Sequence, residues 1–85
     1  MAGGNVDSSG NIYVYAQGGS SFVYITKFDS LFNQLWTAQI SASSSFNFIL
    51  SHDESFIYHS YNDGTNHIIS KHDVSTGLIL SSYAL

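Results

Sequence analysis

The chain has 85 residues, a hydrophobic fraction of 44% and an aromatic fraction of 15%, so it is too apolar for a disordered segment, yet its core must be small. Its formal net charge is −4, its only cations are Lys27 and Lys71, and it has no arginine, which argues against nucleic acid and anionic membranes as partners. The absence of cysteine excludes disulfides, thiol chemistry and cysteine-bound zinc.

The first residues have neither the pattern of a secretion signal nor that of an anchor. They lack a basic region followed by an apolar segment, and the chain contains no run of about 18 apolar residues. Because charges are so few, most of the surface must consist of Ser, Thr, Asn, Gln and Tyr. We expect this surface in an extracellular or cell-surface protein, and the sequence leaves the compartment open.

Short runs rich in Val, Ile, Tyr, Phe and Thr recur along the chain, separated by clusters of Gly, Asn, Asp and Ser. This pattern predicts β-strands joined by tight turns, since β-branched and aromatic residues favour strands and small polar residues favour turns. No sequence window has apolar residues at helical spacing. In chain order, the predicted strands are residues 2–6, 11–16, 22–28, 34–40, 46–51, 56–61, 66–72 and 78–84.

Residues 7–39 and 52–84 are two copies of one pattern. Tyr13 corresponds to Tyr58 and Lys27 corresponds to Lys71, at spacings of 45 and 44 residues. A repeat of this length is typical of arrays whose units stack on their neighbours, and four antiparallel strands per repeat are typical of a β-propeller blade. The sequence therefore predicts an all-β protein made of two four-stranded antiparallel β-propeller blades, residues 1–42 and 43–85.

Three segments of the first copy also resemble a known family. Residues 7–14 (DSSGNIYV), 25–29 (ITKFD) and 34–36 (QLW) are similar to the bacterial seven-bladed β-propeller repeat, whose units read D-x-x-G-N-x-Y-V, K-x-D-x-x-G and L-W. The second copy keeps Lys71, Asp73 and Gly77 but has Leu80 aligned with Trp36, so it resembles a diverged blade. The resemblance implies a fold, and a fold shared so widely implies no particular function.

Two blades leave two faces without a neighbour. Strands of both copies are apolar or aromatic on both sides, which is the pattern of a blade enclosed by others, and the residues expected to pack between blades are Ile12, Tyr13, Trp36, Ile57, Tyr58 and Leu80. The two free faces differ, so copies of the chain would join head to tail into a ring of three or four chains or into a filament. The alternatives are that this chain is a fragment of a longer propeller or that it completes a partner.

The four histidines do not form a predicted metal site. With Asp63-Gly64 at the centre of a hairpin, His67 is predicted opposite Ser60, and His59 opposite Ile68, so His59 and His67 would lie on opposite faces. His72 would share a face with His59 but lie roughly 13 Å from it. The Asp- and Asn-rich segments resemble short calcium loops, and we interpret them as ordinary turns because calcium needs about six to eight oxygen ligands.

No residue set predicts catalysis, a cofactor or a bound metal. The serines lack a nucleophile elbow and the acids show no paired spacing. We therefore predict a non-enzymatic structural or interaction module that assembles from copies of itself. The alternative is a glycan-binding propeller, because tyrosines beside polar turns suit sugar stacking and hydrogen bonding. The candidate ligand or partner loops are represented by Gln17, Ser20, Asn62, Asp63 and Asn66.

Overall fold

The computed structural model describes residues 2–18 and 21–85, without the side chains of Ala2 and Phe46. The described residues form eight strands and no helix, and hence no helix that could cross a membrane. The strands are β1 (Ala2–Val6), β2 (Ile12–Gly18), β3 (Phe22–Phe28), β4 (Gln34–Ser41), β5 (Ser44–Leu50), β6 (Phe56–Asn62), β7 (His67–Asp73) and β8 (Ile79–Ala84). The all-β prediction is confirmed, and each predicted strand has an observed counterpart.

The strands form two four-stranded antiparallel sheets, each with its strands in sequence order. Sheet 1 has the order β1-β2-β3-β4 and sheet 2 has the order β5-β6-β7-β8. Only Ala42 and Ser43 connect them, between β4 and β5. The first strands of the two sheets, β1 and β5, lie against each other. Each sheet therefore has the strand order that the sequence predicts for one blade.

The strand pairing shows that the two sheets are repeats of one structure. Tyr13 pairs with Lys27 in sheet 1, and Tyr58 pairs with Lys71 in sheet 2. Both sheets have a bulge between their third and fourth strands, at Leu35 and at Leu80. Beyond the bulge, Lys27 pairs with Trp36 and Lys71 pairs with Ser81. The counterpart of Trp36 is therefore Ser81, and the alignment of Leu80 with Trp36 is wrong by one residue.

The predicted register of the β6–β7 hairpin is also wrong. His67 pairs with Asn62, and His59 pairs with Ser70, so the register is shifted by two residues from the one predicted. The error arose because the turn at residues 63–66 is not centred on Asp63-Gly64. A shift of two keeps each side chain on its predicted face. It brings His72 opposite Ile57, so His72 and His59 are neighbours, with ring centroids 6.2 Å apart.

The core lies between the two sheets. Sheet 1 contributes Tyr13, Val23, Ile25 and Ile40, and sheet 2 contributes Phe48, Ile57 and Tyr61, with Ala42 at the connection. Tyr15 packs against Phe48 with ring centroids 5.1 Å apart. A single apolar layer therefore holds the two sheets together, and the outer face of each sheet remains uncovered.

Candidate functional site

The two sheets stack in the same orientation, not as mirror images. Tyr13 of sheet 1 is buried and points at sheet 2, whereas its counterpart Tyr58 points away from sheet 1 and is 39% exposed. Conversely, Ile57 is buried against sheet 1, and its counterpart Ile12 lies on the opposite side of sheet 1 from Tyr13. Such stacking leaves two different faces open: the outer face of sheet 1, which contains Ile12, and the outer face of sheet 2, which contains Tyr58.

We name the four faces after these residues. The Tyr13 face and the Ile57 face are in contact inside the molecule. The Tyr58 face is open and includes Ile49, Tyr58, Ile69, Lys71, Ser81 and Tyr83, together with the polar Asn47 and Ser60. The Ile12 face is open and includes Val6, Ile12, Val14, Tyr24, Thr26 and Phe28, together with the polar Thr37 and Gln39 of β4.

Both open faces expose large apolar side chains to water. On the Tyr58 face, Ile49 is 49% and Tyr83 is 70% exposed, and on the Ile12 face Val6 is 64% exposed. Large apolar side chains exposed together on one face of a sheet are typical of an interaction surface. The Tyr58 face also contains a cavity of about 340 Å³ between Tyr58, Ile69, Lys71, Ser81 and Tyr83.

Hydrogen bonds between the sheets fix the internal contact. The Lys27 ammonium and the Trp36 indole N–H both donate to the carbonyl oxygen of Val74, at 3.0 and 2.9 Å. The Asn5 amide donates to the carbonyl oxygen of Phe48 at 3.2 Å. The backbone N–H of Ser8 and the Ser8 hydroxyl donate to the Glu54 carboxylate. These bonds join both the β1 edge and the β4 edge of sheet 1 to sheet 2.

Trp36 lies over the β7–β8 turn, where only glycine fits. A Cβ atom on Gly77 would lie 2.5 Å from Cε3 of the indole, far inside van der Waals contact. Gly77 also has a φ of 78°, in the left-handed region that favours glycine. The corresponding residue of the β3–β4 turn is Phe32, which has a φ of 64°. Phe32 precedes Asn33, whose carbonyl accepts the Asp29 N–H, just as Gly77 precedes Leu78, whose carbonyl accepts the Asp73 N–H.

Two buried histidines lie beside the apolar layer. His59 Nε2 is 2.6 Å from the Ser45 hydroxyl oxygen, and the His59 ring stacks on Tyr61. His72 Nδ1 is 3.2 Å from the carbonyl oxygen of Gly77. Nδ1 of His59 and Nε2 of His72 have no hydrogen-bond partner. Burial, together with the nearby His72, lowers the pKa of His59 to about 4, and burial lowers the pKa of His72 despite its bond to Gly77.

The acidic turns are closed by their own hydrogen bonds. Asp7 accepts from the backbone N–H groups of Ser9 and Asn11 and from the Tyr13 hydroxyl. Burial opposes ionisation of Asp7, but these hydrogen bonds outweigh it and the pKa lies below its usual value. Asp29 has the same arrangement with Leu31 and Asn33. Within residues 2–18 and 21–85, no three His, Asp or Glu side chains converge as a metal site would require.

The candidate ligand loops lie near one another at one end of the molecule. The Gln17 amide donates to the Ser43 carbonyl at 3.1 Å, and Asn62 accepts from the backbone of Gly64. Asp63 accepts from the backbone N–H groups of Thr65 and Asn66. Ser20 lies outside the described residues. A cavity of about 360 Å³ between the loops is lined by Ser21, Phe22, Ser41, Ala42, Ser43, Asp63 and Gly64.

The predicted packing residues divide between the internal contact and the open surface. Tyr13, Trp36 and Ile57 lie between the sheets, whereas Ile12 and Tyr58 lie on the open faces. Leu80 is the bulge residue of β8 and is 52% exposed.

Sequence reasoning missed Phe32, Gly77 and Ser81. The disagreement between the two copies at these positions could have identified them, had the turns been aligned with their unequal lengths.

The comparisons with known proteins give no relative from which a function could be transferred. No family model, no curated protein and no solved structure matches the chain.

Proposed function

We propose that this protein is a non-enzymatic structural module, two β-propeller blades that assemble head to tail with copies of themselves. The single observation that carries the proposal is the orientation of the repeats. The molecule already contains one contact between a Tyr13-type face and an Ile57-type face, and the two open faces are the counterparts of that pair. The resemblance to the bacterial propeller repeat supports the blade architecture of each sheet, although a ring of seven blades cannot be built from chains of two.

A second copy can supply what each open face lacks. The Tyr58 face of one copy would cover the Ile12 face of the next, with Tyr58 against Ile12 as Tyr13 lies against the Ile57 face. Because the two faces differ, the contact is heterologous and continues until a ring closes or a filament forms. Three copies give six blades and four copies give eight.

The mass of the particle in solution tests the proposal. Sedimentation velocity of the full chain at increasing concentration should show particles of three or four times the 9.3 kDa chain mass, or a continuing series for a filament. Ile69→Asp, at the centre of the Tyr58 face, should shift the distribution toward the single chain. Its matched control is Thr65→Asp, which adds the same charge to an exposed turn. A single-chain mass at every concentration would overturn the proposal and favour a fragment of a longer propeller.

The cavity between the polar loops supports a second candidate function, glycan binding. It places the Asp63 turn near Phe22, which is 37% exposed and could stack on a sugar ring. A glycan array with the wild-type chain and with Phe22→Ala tests it. Binding that disappears in the variant supports this function, and an array without any bound glycan refutes it.

A further inference from the structure

The β3–β4 turn carries an unusual residue at its tip. Phe32 has a φ of 64° and is 74% exposed. A left-handed backbone is unfavourable for a bulky side chain, and strained residues that persist tend to mark a functional site. Exposure of an aromatic ring is unfavourable as well. Glycine occupies the corresponding position of the β7–β8 turn, so a less strained alternative exists within the same chain.

We propose that Phe32 inserts beside Ser81 of a neighbouring copy and so determines which faces join. The inference rests on the proposed self-assembly and identifies the contact that gives it specificity. In the internal contact, the large Trp36 lies over the small Gly77. In the contact between copies, the counterparts are reversed in size: Ser81 replaces Trp36 and Phe32 replaces Gly77.

The Tyr58 face has space for the ring. Ser81 lines the 340 Å³ cavity of that face, with Tyr58, Ile69 and Tyr83 as apolar neighbours. Ser81 is smaller than Trp36, and Phe32 is larger than Gly77, so the total packed volume of the two positions is preserved. Protein interiors tolerate volume-conserving exchanges best. Within the molecule, Lys27 donates to the Val74 carbonyl. Lys71 is the counterpart of Lys27 and Ser30 is the counterpart of Val74, so Lys71 would donate to the Ser30 carbonyl of the neighbouring copy.

The same size difference excludes the wrong contact. A β3–β4 turn bearing Phe32 could not take the place of the β7–β8 turn beneath Trp36, where even a Cβ atom clashes with the indole. Phe32 therefore fits a face with Ser81 and is rejected by a face with Trp36. Such a repulsive element is a common source of specificity between similar surfaces.

A size-swap experiment tests the inference. Phe32→Gly removes the ring, and we expect about 10- to 100-fold weaker association, the usual effect of losing one buried aromatic side chain. Ser81→Trp fills the cavity and should weaken association at least as much. The double variant recreates the Trp36–Gly77 arrangement between copies, so it should associate more tightly than either single variant. Leu31→Ala is the control, since Leu31 is 81% exposed on the same turn and lies outside the proposed Phe32–Ser81 pair.

The measurements are sedimentation velocity for association and thermal melting for folding. At a concentration where both proteins are single chains, Phe32→Gly should melt no lower than wild type, because glycine relieves the left-handed strain. Unchanged association in both single variants, or a double variant weakened by the two effects combined, would overturn the role of Phe32 while self-assembly stands. A wild-type chain that stays single at every concentration would overturn both.

Discussion

Acidification from pH 7.5 to pH 5 should destabilise the fold through the buried His59. The pKa of His59 is about 4 in the folded chain, and the value in an unfolded chain is about 6.5. Below pH 6.5 the unfolded chain therefore binds a proton that the folded chain excludes. Stability is lost as pH falls from 6.5, and the loss is complete below about pH 4.

The two pKa values give the size of the effect. At pH 5 almost every unfolded chain is protonated at His59, whereas about one folded chain in ten is, which corresponds to about 2 kcal/mol of unfolding free energy. For a chain of this size, such a loss lowers the melting temperature by roughly 8 to 16 °C. His72 acts in the same direction, since burial lowers its pKa too. The aspartates Asp7, Asp29, Asp53, Asp63 and Asp73 have pKa values below 3.8 and do not titrate in this window.

Circular-dichroism melts at fixed protein concentration measure the effect. Wild type should melt at a clearly lower temperature at pH 5 than at pH 7.5. His59→Gln and His59→Phe should reduce that difference, whatever they do to stability at pH 7.5, since neither side chain titrates. His52→Gln, which removes an exposed histidine of the β5–β6 turn, should keep the wild-type pH dependence. A wild-type change below about 3 °C, or an unchanged dependence in both His59 variants, would refute the reasoning.

Three further predictions concern the turns and the contact between the sheets. Asp7→Ala removes the acceptor of two backbone N–H groups and the Tyr13 hydroxyl and should cost about 2 kcal/mol in chemical denaturation. Gly77→Ala should cost more than about 2 kcal/mol through the clash with Trp36, whereas Gly64→Ala, where a Cβ meets nothing within 4 Å, should cost about 1 kcal/mol through its positive φ alone. Trp36→Phe leaves the Val74 carbonyl with one donor fewer and should cost about 1 to 3 kcal/mol in the same assay. A loss below about 0.5 kcal/mol would contradict the role of the indole.

The fold could be predicted from the sequence because its signals are local. Runs rich in β-branched and aromatic residues mark each strand, and clusters of Asp, Asn and Gly mark the turns. The two-residue period also fixed which side chains share a face, so His59 and His67 were correctly assigned to opposite faces despite the wrong register. The register itself depended on how many residues the 63–66 turn uses. Hydrogen bonds within that turn decide this, and composition does not reveal them.

The candidate site was predictable only in part. The sequence indicated that two repeats leave two faces open, since this follows from counting units. The size reversal between Trp36–Gly77 and Ser81–Phe32 was not predicted. It is visible in the sequence only when the third and fourth strands are aligned across a bulge and across turns of unequal length. The buried histidine pair was missed because the predicted β6–β7 register placed His72 two residues too far from His59 along the ladder.

The hydrogen bonds between the sheets have a mechanical consequence. Asn5, Ser8 and Trp36 anchor the internal contact, and their counterparts on sheet 2 include Ile49 and Ser81, which cannot make the same bonds. An assembly of this chain would therefore have joints of two strengths in alternation. Under dilution or pulling force it would separate between chains and release intact pairs of sheets, so that the pair, not the single sheet, is the unit that exchanges.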